Sequence, residues 1–368
     1  MTPPLDLGMS WVLLLTFIGV YLITPVVRKL AFRIGAVDKP NGRKVHKVIM
    51  PRLGGVAIFL GFTVALLLTQ PIGRQEAGLL IGCTIIVVAG ICDDIRELKP
   101  RTKLAAQVLA AVIVACFGIR VEVITHPFNN VLHLGILAVP VTVLWIIGVT
   151  NALNLIDGLD GLAAGTAIIA AVTMAAVAGF EGRTLVAGFA MILAAAVMGF
   201  LPYNFSPAKI FMGDSGSMFL GFTLGTLAIQ GLTKGAAFIS VFIPVIILGI
   251  PIFDTLFAIV RRYKNHRPIF EADKGHLHHR LLKLGLSQRQ TVLAIYCVDV
   301  FLGLSAIILN ILSTEHSIVA LIVLTTAILI AGERIGVFRK SRRTRRSRYG
   351  PARTPLDNPE SAKDFHRG

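Results

Sequence analysis

Long apolar runs separated by short polar segments are the dominant pattern along this chain. Runs such as WVLLLTFIGVYLITPVV and SIVALIVLTTAILIAG contain no charged residue. Apolar runs of about 20 residues are long enough to cross a hydrocarbon core of about 30 Å as helices. The strands of a membrane barrel would instead alternate apolar and polar residues, which these runs do not. The pattern predicts an all-α, polytopic membrane protein.

Eleven runs are long enough to be counted as spans. Their approximate limits are residues 10–30, 53–70, 77–92, 103–118, 135–150, 162–179, 185–203, 216–232, 236–258, 290–311 and 316–334. No basic segment precedes the first run, so we interpret it as a span rather than a cleaved signal peptide. Residues 1–334 are therefore predicted to form a single transmembrane domain. Residues 335–368 form a basic tail without apolar periodicity, which we expect to be disordered and held near anionic lipid headgroups.

The distribution of charge orients these spans. Only 15% of the residues are charged and 55% are hydrophobic, whereas soluble domains carry about 25% charged residues. If the spans alternate in direction, one set of loops and flanks holds 32 of the 36 Lys and Arg residues. Positive residues mark the cytoplasmic face, so the N-terminus is predicted outside and the C-terminus in the cytoplasm. Because this asymmetry explains most of the net charge of +16, we expect membrane lipids but no nucleic acid as partners.

Three of the predicted cytoplasmic loops carry carboxylate and amide side chains beside apolar spans. The loops lie in the segments GICDDIRELKPRTKLAAQ, VTNALNLIDGLDGLAAG and YNFSPAKIFMGDSGSMFLGF. The side chains are those of Asp93, Asp94, Asn151, Asn154, Asp157, Asp160, Asn204 and Asp214. A single aspartate in such a place is often a helix cap, as Asp214 could be. Three such loops on one face indicate a functional site instead.

Phosphoryl transfer is the chemistry that this set of side chains favours. Carboxylate and amide oxygens suit Mg²⁺, which takes one or two protein groups together with phosphates and water. Adjacent carboxylates at Asp93 and Asp94 repel each other, which raises a pKa or requires a cation nearby. Lys103 can return to the same surface and neutralise a phosphate, and Gly158 lets a backbone approach a bulky ligand. Catalysis of phosphoryl transfer depends on such positioning and charge neutralisation. The acceptor is expected in the membrane, because the carboxylates lie at its edge.

Two basic loops share the same predicted face. The first, VDKPNGRKVHKVIMPRLGG, contains Lys44, His46 and Arg52, and ordinary enrichment of positive residues in cytoplasmic loops explains it equally well. The second contains the segment GHLHHR, whose polar residues are His276, His278, His279 and Arg280. Clustered histidines suggest a metal. However, the neighbouring arginines and lysines would oppose a cation and assist an anion, so we expect anion contacts. Asp254 is expected to pair with this loop, and Asp299 to make a hydrogen bond between helices.

Taken in order, these motifs resemble those of the polyprenyl-phosphate N-acetylhexosamine-1-phosphate transferases, glycosyltransferase family 4, in particular the bacterial GlcNAc type. The motifs are VDKPNGRKVH…PRLGG, DDIRELKPRTK, NALNLIDGLDGLAAG, NFSPAKIFMGDSGS, GIPIFDT and GHLHHR. Each motif alone is weakly specific, but their order on one side of eleven spans is highly specific. The resemblance extends from about residue 21 to residue 289. Leu277 stands where relatives carry isoleucine or methionine, and an apolar spacer is thereby retained.

The resemblance implies a role for each matching position. Asp214 is expected to bind Mg²⁺, for which Mn²⁺ could substitute, with Asn154 as a second ligand. One of Asp93 and Asp94 is expected to deprotonate the lipid phosphate, and Lys103 to contact phosphate. The histidine loop is expected to close over the pyrophosphate and sugar. The remaining substrate-binding positions implied are Lys44, His46, Arg52, Asn151, Asp157, Gly158, Leu159, Asp160, Asn204 and Arg280.

The resemblance also implies an activity and a location. The expected reaction transfers GlcNAc-1-phosphate from UDP-GlcNAc to undecaprenyl phosphate, with release of UMP, in the bacterial cytoplasmic membrane. It would begin a cell-envelope glycan, such as teichoic acid or lipopolysaccharide. Direct attack is favoured, and an aspartyl-phosphate route at Asp93 or Asp94 stays open. A MurNAc-pentapeptide phosphotransferase is the alternative within the family. A secondary transporter is the alternative outside it, although its polar residues should lie near the membrane midplane. The sequence is compatible with a homodimer.

Overall fold

The protein is described by a computed structural model that covers residues 7–38, 48–69, 71–125, 131–232, 241–266 and 275–334. Within these residues the chain is almost entirely helical, which confirms the all-α class. The helices are α1 (Leu7–Ile34), α2 (Gly54–Thr69), α3 (Arg74–Arg96), α4 (Pro100–Cys116), α5 (Ala138–Ile156), α6 (Leu162–Phe180), α7 (Thr184–Asn204), α8 (Asp214–Leu232), α9 (Phe242–Ile247), α10 (Gly249–Lys264), α11 (Leu277–Lys283), α12 (Gln288–Ile311) and α13 (Thr314–Arg334).

Two short antiparallel strand pairs occur between helices of the described chain. Strand β1 (Val37–Asp38) pairs with β2 (Met50–Pro51), and β3 (Val123–Thr125) pairs with β4 (Val131–His133). The segment after β2 also contacts the connection between α7 and α8. There the backbone N–H of Phe211 donates to the carbonyl of Pro51 at 2.8 Å, and the N–H of Gly54 donates to the carbonyl of Phe211 at 3.0 Å. These bonds place Arg52 beside the beginning of α8.

Six segments of the described chain are long and apolar enough to cross a membrane. They are Gly8–Ile34, Arg74–Arg96, Gly135–Ile156, Leu162–Phe180, Thr184–Asn204 and Gln288–Ile311. Two further apolar helical segments, Gly54–Thr69 and Glu315–Ile330, are shorter. Each of the eleven predicted spans overlaps at least one helix. The structure thus confirms a helical membrane protein. Fewer of its described helices have the length and composition of a membrane span than the eleven that the sequence predicts.

The predicted span 236–258 differs most from the structure. Its described part is divided between α9 and α10, which meet at Leu248. Pro251 lies in the first turn of α10, where its missing N–H is tolerated, but its ring would clash with the carbonyl four residues earlier in a continuous helix. The hydropathy of the sequence does not indicate the break at Leu248, because all the residues around it are apolar.

Close packing around α8 determines where the polar loops lie. A Cβ atom on Gly55 would lie 2.1 Å from the Cα atom of Gly216, and one on Gly90 would lie 2.3 Å from the Cα atom of Ser215. Only glycine therefore lets α2 and α3 approach the first turn of α8 this closely, as small residues do between membrane helices. The approach brings the C-terminal end of α3 against the N-terminal end of α8.

Apolar side chains divide between the interior of the bundle and its outer surface. Phe62, Phe200 and Phe219 are fully buried, whereas Trp11 and Leu68 are 62% and 79% exposed. Apolar side chains this exposed on many helices are expected where lipid, rather than water, surrounds the protein. The distribution agrees with a protein that lies in a membrane.

The buried carboxylate of Asp299 joins two helices. The Thr166 hydroxyl on α6 donates a hydrogen bond of 2.7 Å to Oδ2 of Asp299 on α12. This bond confirms the predicted helix–helix contact of Asp299. It also fixes α12 against the beginning of α6, which follows one of the polar loops.

Candidate active site

The carboxylate of Asp94 anchors the beginning of α8. Its Oδ1 accepts the backbone N–H of Asp214 at 2.9 Å, and its Oδ2 accepts the N–H and the hydroxyl of Ser215 at 3.1 and 2.8 Å. The side chain has no exposed surface. A carboxylate in this place satisfies N–H groups that lack a partner within the helix and complements the helix dipole. Asp94 therefore positions Asp214, the residue predicted to bind the metal.

Gly213 makes this contact possible. Its φ of +73° lies in the left-handed region, and a Cβ atom there would lie 2.4 Å from Oδ2 of Asp94. Glycine adopts such a φ without steric cost and leaves room for the carboxylate. The glycine of the FMGDSGS motif is thus explained by local geometry.

Lys103 connects Asp93 with Asp214. Its ammonium nitrogen lies 3.0 Å from Oδ2 of Asp93 and donates a hydrogen bond to Oδ2 of Asp214. The other oxygen of Asp93 accepts the backbone N–H of Leu98 at 2.8 Å, within the turn between α3 and α4. The turn therefore returns Lys103 to the surface that carries Asp93, as the sequence predicts.

A second cation, Arg52, reaches the same carboxylates from the segment after β2. Its Nη2 atom lies 3.5 Å from Oδ1 of Asp94 and 3.7 Å from Oδ1 of Asp214. Burial lowers the pKa of Arg52, but the carboxylates of Asp94 and Asp214 outweigh this effect, so the pKa is raised above its ordinary value. Asp214 thus lies between two charged groups, the guanidinium of Arg52 and the ammonium of Lys103.

Asn154 is the second residue predicted to bind the metal, and it also contacts Asp214. Its Nδ2 lies 3.5 Å from Oδ2 of Asp214, while its Oδ1 accepts the hydroxyl of Ser217 at 2.8 Å. The sequence analysis did not identify Ser217, although it lies one turn after Asp214 in the same motif. Among the described residues, no group of three or more His, Cys, Asp or Glu side chains is arranged to hold a metal ion. The oxygens of Asp214 and Asn154 fit the donor chemistry of Mg²⁺, which takes most of its other ligands from phosphates and water.

Asn151 lies one turn from Asn154 but contacts a different partner. Its Nδ2 donates to Oε1 of Gln107 at 2.7 Å and to the carbonyl of Ile147 at 2.9 Å. Gln107 in turn lies 3.4 Å from the sulfur of Met218. The amide pair joins α4 to α5 inside the bundle, which gives Asn151 a structural role beside the predicted binding role.

The loop Asp157–Gly161 follows α5 and is tied to the connection between α7 and α8. The carboxylate of Asp160 accepts the backbone N–H of Ala208 at 3.0 Å. The buried Asn204 accepts the N–H of Gly161 and donates to the carbonyl of Ile210, both at 3.1 Å. The amide of Asn204 therefore holds two loops together.

Asp157 lies at the other end of this loop, where its charge is disfavoured. Burial, followed by the charges of Asp214 and Asp94, raises the pKa of Asp157 to about 7, although Arg52 opposes the shift. A carboxyl group with such a pKa can change protonation near neutral pH, or be held ionised by a cation that binds beside it.

A cavity of about 620 Å³ brings nine of the predicted residues together. Its size is within the usual range for small-molecule sites. The predicted residues that line it are Arg52, Asn154, Asp157, Gly158, Leu159, Asp160, Asn204, Asp214 and His279. Asp38 and Gln288 also line it and were not predicted. Asp93, Asp94, Lys103 and Asn151 lie behind this lining rather than in it.

The histidine loop, residues 275–280, approaches the cavity from the side of α10. Nδ1 of His276 lies 2.8 Å from Oδ2 of Asp254, and the backbone N–H of Leu277 donates to Oδ1 of Asp254 at 2.9 Å. These contacts confirm the expected pairing of Asp254 with this loop. Arg280 donates from Nε to the carbonyl of Gly275 at 2.9 Å. Asp254 thus fixes the beginning of α11.

The three histidines occupy different environments. His276 and His278 are buried with their rings stacked 5.9 Å apart, while His279 reaches the cavity. Burial, followed by the charge of His279, lowers the pKa of His278 to about 4, so this ring is neutral at neutral pH. A Cβ atom on Gly158 would lie 2.7 Å from Nε2 of His278. Helix α11 therefore packs directly against the loop Asp157–Gly161.

Some predicted residues lie outside the part of the chain that the structure describes. They are Lys44 and His46 of the first basic loop and residues 335–368 of the basic tail. Their predicted roles stay predictions.

The fold and the site define a class of protein: a helical membrane protein with carboxylates, cations and a ligand-sized cavity gathered from loops at one end of its bundle. The profile of glycosyl transferase family 4 matches residues 77–232. A "probable undecaprenyl-phosphate N-acetylglucosaminyl 1-phosphate transferase" of Bacillus subtilis is 43% identical over 88% of this chain and 91% of its own length. The chain belongs to glycosyl transferase family 4.

Two further relatives are more distant. A "decaprenyl-phosphate N-acetylglucosaminephosphotransferase" of Mycobacterium tuberculosis is 37% identical over 75% of this chain and 76% of its own length. An "undecaprenyl-phosphate alpha-N-acetylglucosaminyl 1-phosphate transferase" of Escherichia coli K12 is 27% identical over 76% of this chain and 78% of its own length. All three similarities extend well beyond the segment matched by the family profile.

Proposed function

We propose that this protein transfers GlcNAc-1-phosphate from UDP-GlcNAc to undecaprenyl phosphate, which gives undecaprenyl-pyrophosphoryl-GlcNAc and UMP. The reaction is the first membrane step of a cell-envelope glycan. The observation that carries the proposal is the arrangement of Asp93, Lys103 and Asp214 beside a cavity of about 620 Å³. It occurs in a chain that is 43% identical to a relative named for this reaction.

The proposed topology has eleven spans, with α9 and α10 counted as one and α11 lying outside the membrane. The site segments lie in the loops that follow α1, α3, α5, α7 and α10, or at the ends of the helices that flank these loops. In this topology all of these loops lie on the same side of the membrane. The excess of Lys and Arg on that side supports a cytoplasmic site and an outside N-terminus. The location is then a bacterial cytoplasmic membrane, where UDP-GlcNAc reaches the site from the cytoplasm and undecaprenyl phosphate from the bilayer.

The proposed cofactor is Mg²⁺, with Mn²⁺ able to substitute. Asp214 would hold it together with Asn154, because both side chains line the cavity and Nδ2 of Asn154 lies 3.5 Å from Oδ2 of Asp214. When bound, the metal would neutralise charge on the pyrophosphate of the donor. Lys103 contacts Oδ2 of Asp214, and this pairing of the carboxylate with a cation supports the proposal.

The proposed reaction is one displacement at phosphorus. An oxygen of the lipid phosphate forms a bond to the β-phosphorus of UDP-GlcNAc, and the bond from that phosphorus to the bridging oxygen breaks. UMP leaves with the bridging oxygen and its electron pair. Lys103 and Arg52 neutralise the charge that develops on the phosphates. Of the two neighbouring carboxylates, Asp93 would accept the proton of the lipid phosphate, because Asp94 already holds the beginning of α8 and Asp93 is connected to the cavity lining through Lys103 and Asp214.

Burial argues against an aspartyl-phosphate route through Asp94. Both oxygens of Asp94 accept hydrogen bonds, and its side chain has no exposed surface. The side chain of Asp93 is only 7% exposed. A nucleophilic carboxylate needs room for the phosphorus to approach along the line of the leaving oxygen, and Asp94 lacks that room.

The experiment that tests the proposal uses the purified full chain, undecaprenyl phosphate, Mg²⁺ and radiolabelled UDP-GlcNAc. Label should move into the lipid phase in equal amount to the UMP released. Parallel reactions with UDP-MurNAc-pentapeptide as the donor test the alternative activity within this family, which uses the same lipid phosphate. No transfer from UDP-GlcNAc, or transfer only from UDP-MurNAc-pentapeptide, would contradict the proposal.

A further inference from the structure

The backbone of Gly161 is held from two sides at the end of the loop Asp157–Gly161. Its N–H donates to Oδ1 of Asn204 on α7, at 3.1 Å. Its carbonyl accepts the phenolic hydroxyl of Tyr296 on α12, besides the N–H of Gly165 within α6. Gly161 has a φ of +80°, so the chain reverses sharply here. The two side chains thus hold the turn at which the loop becomes α6.

The ring of Tyr296 fills the space that Gly165 leaves open. A Cβ atom on Gly165 would lie 2.0 Å from Cζ of Tyr296. Thr166, the residue after Gly165, donates to Asp299, which lies one turn after Tyr296 on α12, at 2.7 Å. The contact between α6 and α12 therefore has an apolar part at Gly165, a buried polar part at Asp299, and one bond to the loop itself.

The loop is what connects Tyr296 to the cavity. Asp157, Gly158 and Asp160 line the cavity, whereas Tyr296 does not. Asp160 and Gly158 also have contacts on the cavity side, with Ala208 and His278. On the side facing α12, the described contact of the loop is the hydroxyl of Tyr296. Without that hydroxyl, the carbonyl of Gly161 would keep, among the described contacts, its bond with the N–H of Gly165 within α6.

We propose that Tyr296 is a positioning residue: its hydroxyl fixes the Gly161 turn and thereby the orientation in which Asp157 and Asp160 meet the nucleotide-sugar. The inference rests on the proposed function, because it assigns the cavity to the donor. Tyr296 does not touch the reacting atoms. Its effect on the reaction therefore passes through the loop and should be seen with the donor substrate rather than the lipid.

The test compares Tyr296→Phe with the wild-type full chain. The substitution removes one oxygen atom and keeps the ring that packs against Gly165, so the bundle retains its packing. Loss of one hydrogen bond should raise the KM for UDP-GlcNAc about fivefold. The KM for undecaprenyl phosphate should stay within about twofold. Amide hydrogen exchange in the peptide 157–165 should become faster without any substrate present.

Two variants serve as controls, one elsewhere on α12 and one at the contact between α6 and α12. Ser305→Ala removes a hydroxyl whose described hydrogen bond is to the carbonyl of Phe301 in its own helix, and should change neither KM nor exchange. Thr166→Val removes the bond between α6 and α12 at Asp299 but leaves Tyr296 in place. It should lower thermal stability without a selective rise in the KM for UDP-GlcNAc.

Three results would overturn the positioning role of Tyr296. They are unchanged exchange in the peptide 157–165 of Tyr296→Phe, equal rises in both KM values, and the same selective rise in Thr166→Val. A wild-type protein that transfers no GlcNAc-1-phosphate would instead overturn the proposed function. The exchange measurement separates these two failures, because it needs no substrate.

Discussion

The carboxylate of Asp94 at the end of α3 accepts the backbone N–H of Asp214 at the beginning of α8, at a distance of 2.9 Å. Asp94 and its neighbour Asp93 therefore have separate tasks, although they are adjacent in the chain. Asp94 points into the bundle and fixes α8. Asp93 bonds to Lys103, which in turn reaches Asp214. Asp214, which lines the cavity, is thus held by Asp94 and Lys103, which do not line it.

Asp94→Asn and Asp93→Asn should have different effects on stability. The amide at position 94 cannot accept all three hydrogen bonds from Asp214 and Ser215, so the free energy of unfolding should fall by about 1.5–3 kcal/mol. Asp93→Asn changes a group that bonds to Lys103 and one backbone N–H, and should lower the melting temperature less. Both variants should lose most transferase activity. Thermal unfolding in detergent, measured beside the radiolabel assay, separates the two residues. Equal losses of stability would contradict the anchoring role of Asp94.

Asp214→Ala should abolish transfer while the protein still folds. The substitution leaves Arg52 and Lys103 without their shared carboxylate and removes the proposed metal ligand, but the backbone N–H that Asp94 binds is retained. Turnover, size-exclusion behaviour and melting temperature are the measurements. Glu181→Ala, a change to an exposed carboxylate in the turn between α6 and α7, is the control and should keep full activity. Near-normal turnover of Asp214→Ala would show that the metal is held elsewhere.

Metal removal tests the same site without a substitution. Chelation by EDTA should stop transfer, and added Mg²⁺ or Mn²⁺ should restore it, because oxygen ligands and a pyrophosphate suit both ions. Ca²⁺ prefers more ligands at longer distances and should restore much less activity. Full activity in excess EDTA would contradict the proposed cofactor.

The sequence was most informative where a pattern is local or repeated. Apolar runs located the helices, and the distribution of Lys and Arg gathered the polar loops on one face, so Lys103, Asp93 and Asp214 were expected together. The pairing of Asp254 with the histidine loop was also expected. The interruption at Leu248 was not, because hydropathy is unchanged across it. Ser217 could have been found, since it lies one turn after Asp214.

Other features depend on packing between segments far apart in the chain. Tyr296 is 135 residues from Gly161, and nothing in the apolar pattern of α12 distinguishes its hydroxyl from an ordinary interfacial tyrosine. The anchoring role of Asp94 required the close approach of α3 to α8 through Gly90. Asn151 and Asn154 belong to the same predicted polar loop, yet the partner of Asn151 is Gln107 on α4. Side chains of one loop can point to different neighbours, and spacing alone does not show which.

Lys103→Met should reduce turnover by about 100-fold or more, because a cation that neutralises the transferred phosphate is lost. The half-maximal Mg²⁺ concentration should not rise, since Lys103 shares Oδ2 of Asp214 with the proposed metal and its removal leaves that oxygen to the metal. Mg²⁺ titrations of the residual activity measure both effects. Lys264→Met, at the end of α10, is a control for loss of positive charge on the same face. A large rise in the Mg²⁺ requirement of Lys103→Met alone would show that Lys103 organises the metal site instead.

His278 should make the protein less stable as the pH falls below neutrality. Burial lowers the pKa of His278 from 6.5 to about 4, so between these values the unfolded chain binds more protons than the folded protein. Stability then decreases as the pH falls through this window. His278→Gln, which cannot be protonated, should have a flatter melting temperature between pH 6.5 and pH 4 than the wild type. His316→Gln, at an exposed position, should follow the wild-type curve. If His278→Gln and the wild type have parallel curves, His278 is not held neutral against Gly158.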